Sequence, residues 1–145
     1  MNHAQEVISL IYSLFESVTL TPFDKEVFNS IEGKEHMFLR EKEGTFYTIT
    51  DGDKNIGIVG FIHGTKNQPP FFTIGIVKEF RGEGFLPKAY KELAKKHGFK
   101  RAYVDIEKSN KVSIEAHKGF GFKLSIDDDA GKKQFKTDIR LSKEF

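Results

Sequence analysis

The sequence predicts an α/β (α+β) fold, a mixed sheet with a few helices laid over it, and three observations predict it. The hydrophobic period changes from helical to extended at Gly44. Two β-rich runs then flank the turn residues Asp51-Gly52-Asp53. Finally, FFTIGIVKEFRGEGF (Phe71 to Phe85) passes from an apolar strand through two glycines into a segment of helical spacing. A chain of 145 residues fits one domain and can bury a real core.

In order along the chain, Val7, Leu10, Ile11, Leu14, Phe15 and Val18 recur at helical spacing and predict a helix over 3–17. Thr21-Pro22 reads as a cap with proline in the first turn, which predicts a short helix over about 22–31 that Gly33 ends. Residues 36–41 read as a weak strand. Thr45 to Thr50 and Asn55 to His63 form a hairpin, with Gly57 and Gly60 leaving room for close packing. Pro69-Pro70 cannot lie in a central ladder and so fixes where the strand over 71–77 starts. Leu86, Ala89, Tyr90 and Leu93 mark the next helix, with Pro87 harmless in its first turn and His97-Gly98 at its end. Ala102 to Ile106 is a strand, Ser109-Asn110 caps a helix through about Lys118, and Gly121 to Ser125 opens a last hairpin that returns over 134–141.

Composition excludes several functions. The 38% hydrophobic and 30% charged residues are an ordinary globular balance. A formal charge of +2 gives no reason to expect nucleic acid or an anionic membrane surface as partner. With no cysteine there is no disulfide, thiolate zinc site or cysteine nucleophile in this chain, which suits the cytoplasm. No apolar run approaches the roughly 18 residues of a bilayer span, and the N-terminal segment carries polar and acidic residues that a signal peptide lacks. The expectation is a soluble, cytoplasmic domain.

The chemistry is expected at Gly82 and Gly84. A strand that turns through glycines into a helix aims several backbone N–H groups, and the positive end of the helix dipole, at one point. Such a turn suits a phosphate, though a GxG alone is often only a tight turn. Its neighbours make it specific. Val77-Lys-Glu-Phe-Arg81-Gly82-Glu83-Gly84 is followed by a strand through Val104-Asp105-Ile106, then Asn110, then Gly121-Phe122 eleven residues on. Together these segments resemble the GNAT family of N-acetyltransferases, well over about 45–141 and loosely over the N-terminal helices.

The resemblance implies a mostly antiparallel sheet of six or seven strands, splayed between its central strands, with acetyl-CoA as cosubstrate and no metal. The pantetheine arm would pair with backbone near Ile76 and Val77, and a backbone N–H near Val77 would face the developing oxyanion. The pyrophosphate would lie on Arg81, Gly82, Glu83, Gly84, Phe85 and Leu86. Asn110 would hold the pantetheine arm, cap a helix, or both, and Lys111 or Arg81 would meet the 3′-phosphate. The family normally opens with a strand, so either the first strand is missing here, leaving a smaller sheet, or 36–41 replaces some of it.

Two departures from the family pattern matter. Its Gln or Arg three positions before the first glycine is Glu79, which should point outward and leave the positive charge to Arg81. Its tyrosine seven residues after the asparagine, the usual proton donor to the departing thiolate, is His117, whose imidazolium can donate instead. Candidates for the base that deprotonates the amine are Glu107 first, then Asp105 and His63, with Tyr47 on the acceptor side. The expected acceptor is a small-molecule or peptide primary amine, and a homodimer stays open. The alternative is a non-catalytic acyl-CoA-binding or protein-interaction module on the same fold. A nucleotide-phosphate binder fits poorly, because Pro87 stands where a third glycine should be and no P-loop lysine follows.

Overall fold

The structure, a computed structural model, describes residues 18–34, 37, 44–63, 68–125 and 137–145. Its elements are β1 (Thr19–Pro22), α1 (Lys25–Ser30), β2 (Gly44–Asp51), β3 (Lys54–Ile62), β4 (Phe71–Ile76), α2 (Phe85–His97), β5 (Arg101–Glu107), α3 (Lys111–Gly119), β6 (Lys123–Leu124) and β7 (Asp138–Glu144). A short 3-10 turn, Lys78–Phe80, lies between β4 and α2. The strands form one seven-stranded sheet in the order β1-β2-β3-β4-β5-β7-β6, antiparallel throughout except for β4 beside β5.

The first strand is present, which corrects the expectation at the N-terminal end. Thr19, Leu20 and Thr21 pair with Thr50, Ile49 and Thr48 of β2. Pro22 closes this strand at the sheet's edge, where its missing N–H costs no ladder bond. The helix therefore starts later than Pro22. Asp24 is its cap, with Oδ1 accepting the N–H of Glu26 at 2.9 Å, while the N–H of Asp24 donates to Oγ1 of Thr48 at 2.9 Å. The helix predicted over 3–17 lies outside the described residues, as does the strand over 36–41 apart from Met37. The last strand is shifted toward the C-terminus of the expected 134–141.

Two clusters sandwich the sheet. On one face, α2 contributes Phe85, Ala89, Tyr90, Leu93 and Ala94 to a core with Ile49, Val59, Phe61, Phe72, Val104 and Leu141. On the other, Val27 and Ile31 join Met37 and Ile58. A register shift between Ile49 and Thr50 inserts Ile56 as an extra residue, so Ile56 joins the first cluster while Ile58 faces the second. Close packing explains Gly57: a Cβ there would overlap the carbonyl oxygen of Gly75 on β4.

Candidate functional site

β4 and β5 share a single registered pair, Phe71↔Tyr103, secured by the Tyr103 N–H donating to the Pro70 carbonyl at 2.9 Å. Beyond it the two strands have no further registered pairs, and a wedge of about 270 Å³ opens between them. Phe72, Thr73 and Ile74 of β4, Asp105 and Glu107 of β5, and Asn110, Ser113 and His117 beyond β5 line it, with Tyr90 and Asp138. The first residues of α2 stand just past the end of β4.

The backbone of β4 decides what can bind in the wedge. The N–H of Val77 donates to the carbonyl of Ile56 at 2.9 Å, and the carbonyl of Val77 accepts the N–H of Phe80 at 2.9 Å. Both backbone groups of Val77 are therefore committed, which corrects its expected role in pairing with pantetheine and facing an oxyanion. Alternation along the antiparallel ladder turns Gly75 and Thr73 toward β3, and Ile74 and Ile76 toward the wedge. Of the two residues named from sequence, Ile76 faces the wedge and Val77 does not, because the direction of each N–H depends on register against β3.

At the turn, Gly82 and Gly84 have φ of +77° and +83°. That left-handed conformation suits glycine, and a Cβ at either position would meet nothing within 4 Å. Gly84 is the N-cap of α2 and makes no side-chain cap bond. Among the described residues, the N–H groups of Gly82, Glu83, Gly84, Phe85 and Leu86 donate to no backbone carbonyl outside the helix. The N–H of Arg81 is excluded from that set, since it donates to the Lys78 carbonyl at 3.2 Å. Glu79 is exposed, as expected. An open, glycine-lined turn at a bare helix start fits a pyrophosphate, and a wedge with strand backbone along one side fits an amide-bearing arm. Asn110 both caps α3, through Oδ1 accepting the Ser113 N–H at 3.2 Å, and lines the wedge.

The catalytic candidates fare differently. His117 is 4% exposed and sits between its own helix and α2. Its Nδ1 donates to the Ser113 carbonyl at 2.7 Å, so Nε2 accepts the hydroxyl of Tyr90 at 2.9 Å. Burial pushes the imidazole pKa down, only partly opposed by the Ser113 carbonyl, and burial pushes the Tyr90 phenol far up. The expected imidazolium donor is thus a neutral ring whose two nitrogens are both engaged. Asp105 is likewise occupied: Arg140 donates Nε to Oδ1 at 2.7 Å and Nη2 to Oδ2 at 2.9 Å, a bidentate cross-strand pair.

Glu107 is exposed at the end of β5, opposite Asp138 of β7, and both line the wedge. His63 follows the end of β3 that pairs with Phe71, the closed end of the wedge, which removes it as a base. Tyr47 faces α2 rather than an acceptor, with its hydroxyl 2.8 Å from Nε2 of His97. Sequence reasoning missed Tyr90 as a polar group, since it fell in an apolar helical stripe. It also missed Asp138 and Arg140, whose place emerges only from the β5–β7 register. Among the described residues, no three His, Asp or Glu side chains come together as a metal set, and no helix is long and apolar enough to cross a membrane.

A seven-stranded sheet that parts between parallel β4 and β5 beside a glycine turn frames the site. The acetyltransferase (GNAT) family profile matches residues 8–122, and the chain belongs to that family. No curated protein matches the chain in sequence. Among solved structures, an acetyltransferase from Thermus thermophilus is 13% identical with a TM-score of 0.67, covering 89% of this chain and 97% of its own. An acetyltransferase from Bacillus subtilis in complex with CoA is 17% identical with a TM-score of 0.64, covering 89% and 98%. A spermidine N-acetyltransferase chimera involving Vibrio cholerae SpeG is 13% identical with a TM-score of 0.63, covering 88% and 95%. These similarities show a shared fold.

Proposed function

We propose that this GNAT acetyltransferase moves an acetyl group from acetyl-CoA to a primary amine by direct attack. The observation that carries the reading is the wedge. β4 and β5 separate after one pair, and the backbone left facing the gap leads directly to a bare, glycine-lined helix start. Acetyl-CoA supplies the acetyl group already activated as a thioester, so the protein's task is positioning and charge stabilisation.

In this reading Gly82 to Leu86 hold the pyrophosphate, and Ile76 and Ile74 pair with the pantetheine arm. A wedge-facing N–H of β4 polarises the carbonyl. Glu107, at the open mouth, takes the proton of the ammonium through water, with Asp138 beside it. Asp105, fixed by Arg140, orients and keeps charge near the amine rather than accepting a proton. Tyr90 and His117 shape the floor of the wedge. The Vibrio cholerae chimera named for spermidine lends support to an amine acceptor.

The competing reading is a coenzyme-binding module without turnover. It is favoured by one observation: the side chains of Asp105 and His117 are held by Arg140 and by Tyr90 and Ser113. Thiol release from acetyl-CoA across a panel of small amines, polyamines and peptide amines separates the two. Acceptor-dependent release with an N-acetyl product is expected. Tight CoA binding without such release from any amine would favour the module.

A further inference from the structure

Arg81 holds together two parts of the molecule that the proposed reaction keeps separate. Its Nε donates to the carbonyl of Ile76 at 3.0 Å, one of the carbonyls that alternation along β4 turns into the wedge. Its Nη2 donates to the carbonyl of Glu32. Lys78 adds an ion pair to the Glu32 carboxylate at 3.5 Å. Glu32 follows α1, between Ile31 and the Lys34 carbonyl that accepts the N–H of Met37 at 2.9 Å. Ile31 and Met37 in turn pack over Gly75 of β4, on the sheet face opposite α2.

We propose that Arg81 is a latch which coenzyme A opens, so that coenzyme binding is communicated to residues 31–34 on the far face of the sheet. The inference rests on the coenzyme reading above and adds a coupling to it. A pantetheine amide pairing with β4 approaches the Ile76 carbonyl along the path now taken by the guanidinium. The displaced guanidinium already stands at the glycine turn, next to where the pyrophosphate would lie. The two carbonyls are neutral, whereas a phosphate adds opposite charge and can take the guanidinium fork in a bidentate pair, so the exchange from two carbonyls to an anion is favourable. Release of the Glu32 carbonyl then loosens the 31–34 turn. By linkage, whatever stabilises the free turn tightens coenzyme binding by the same factor.

The test uses two probes on the intact chain, acetyl-CoA and S-acetylpantetheine, which keeps the arm but lacks the pyrophosphate. Arg81→Ala loses the phosphate contact but also the competitor for Ile76. It is expected to bind acetyl-CoA about tenfold more weakly and S-acetylpantetheine about threefold more tightly, the scale of one to two solvent-exposed hydrogen bonds. Arg81→Lys keeps the charge without the fork and is expected to improve S-acetylpantetheine binding while nearly preserving acetyl-CoA binding. In the wild type, CoA is expected to speed amide exchange across 31–34, and in Arg81→Ala that exchange is expected to be fast with or without CoA. Weakening of both probes in both variants, or wild-type exchange at 31–34 unmoved by bound CoA, overturns the latch while leaving the coenzyme reading intact. A folded wild-type chain that binds neither probe overturns the coenzyme reading and the latch with it.

Discussion

The two helices that border the wedge start in opposite ways. α3 starts on Asn110, whose side chain fills the orphan N–H of Ser113 at 3.2 Å. α2 starts on Gly84, in the left-handed region, with no side-chain cap and no acidic residue in its first turn. A cap is worth about 1 kcal/mol, so the bare start of α2 forgoes stability that the neighbouring helix takes. The difference teaches what each end serves. α3 is closed by its own chain, and in the proposed reading α2 keeps its donors for an anion from outside.

The largest effect should come from erasing that difference. Gly84→Asp gives α2 the kind of cap α3 has. Aspartate tolerates left-handed backbone better than most residues, and an added Cβ meets nothing within 4 Å. The carboxylate then occupies the N–H groups and repels a pyrophosphate. Calorimetry should show CoA binding lost by about a hundredfold or more, roughly 3 kcal/mol, while the thermal midpoint moves by only a few degrees. A variant that keeps CoA affinity would mean that the glycine turn is merely a turn.

The capped end gives a smaller, two-part effect. Asn110→Ala should cost about 1 kcal/mol of stability and Asn110→Gly only a few tenths, because glycine is itself an acceptable cap. Both remove the amide from the wedge, so both should raise the KM for acetyl-CoA by about the same few-fold factor, the scale of one hydrogen bond. Denaturant melts and steady-state kinetics on the pair separate capping from binding. If KM tracks stability across the two variants, Asn110 serves the helix alone.

Legibility in the sequence followed the range of the interactions. The β2–β3 hairpin, the strand–turn–helix around Gly82 and Gly84, and the αL cap at Gly98 are local, and each was read within a residue or two. β1 was misread because four residues ending in proline look like a helix start until Thr48 to Thr50 of β2 stand beside them. Sequence names Ile76 and Val77 together, and only the pairing of Val77 with Ile56, across a bulge that sequence does not announce, separates the two. The Asp105–Arg140 fork spans two strands, and the Tyr90–His117 bond two helices. Such contacts between distant segments decide which polar residues remain available for chemistry.

The smallest effect concerns the floor of the wedge, and its sign follows from the direction of one pKa. His117 titrates near 6.5 when unfolded and lower when folded, because burial disfavours the charged ring. Below about 6.5 the unfolded chain therefore binds more protons than the native one, and stability falls as pH drops toward the folded pKa. Above 6.5 the ring is neutral in both states and this dependence vanishes. The slope in that window cannot exceed about 1.4 kcal/mol per pH unit for one group. His97, also shifted down by burial and then by Lys96 and His63, is exposed and should add little. His117→Gln keeps an acceptor for Tyr90 but cannot titrate. Denaturant melts between pH 5 and 7.5 should show a flatter profile than wild type for His117→Gln and a nearly unchanged one for His97→Gln. A turnover profile that keeps its acid limb in His117→Gln would assign that limb to another group and leave His117 a packing residue. Loss of the limb without a matching change in the stability profile would return His117 to the proton transfer itself.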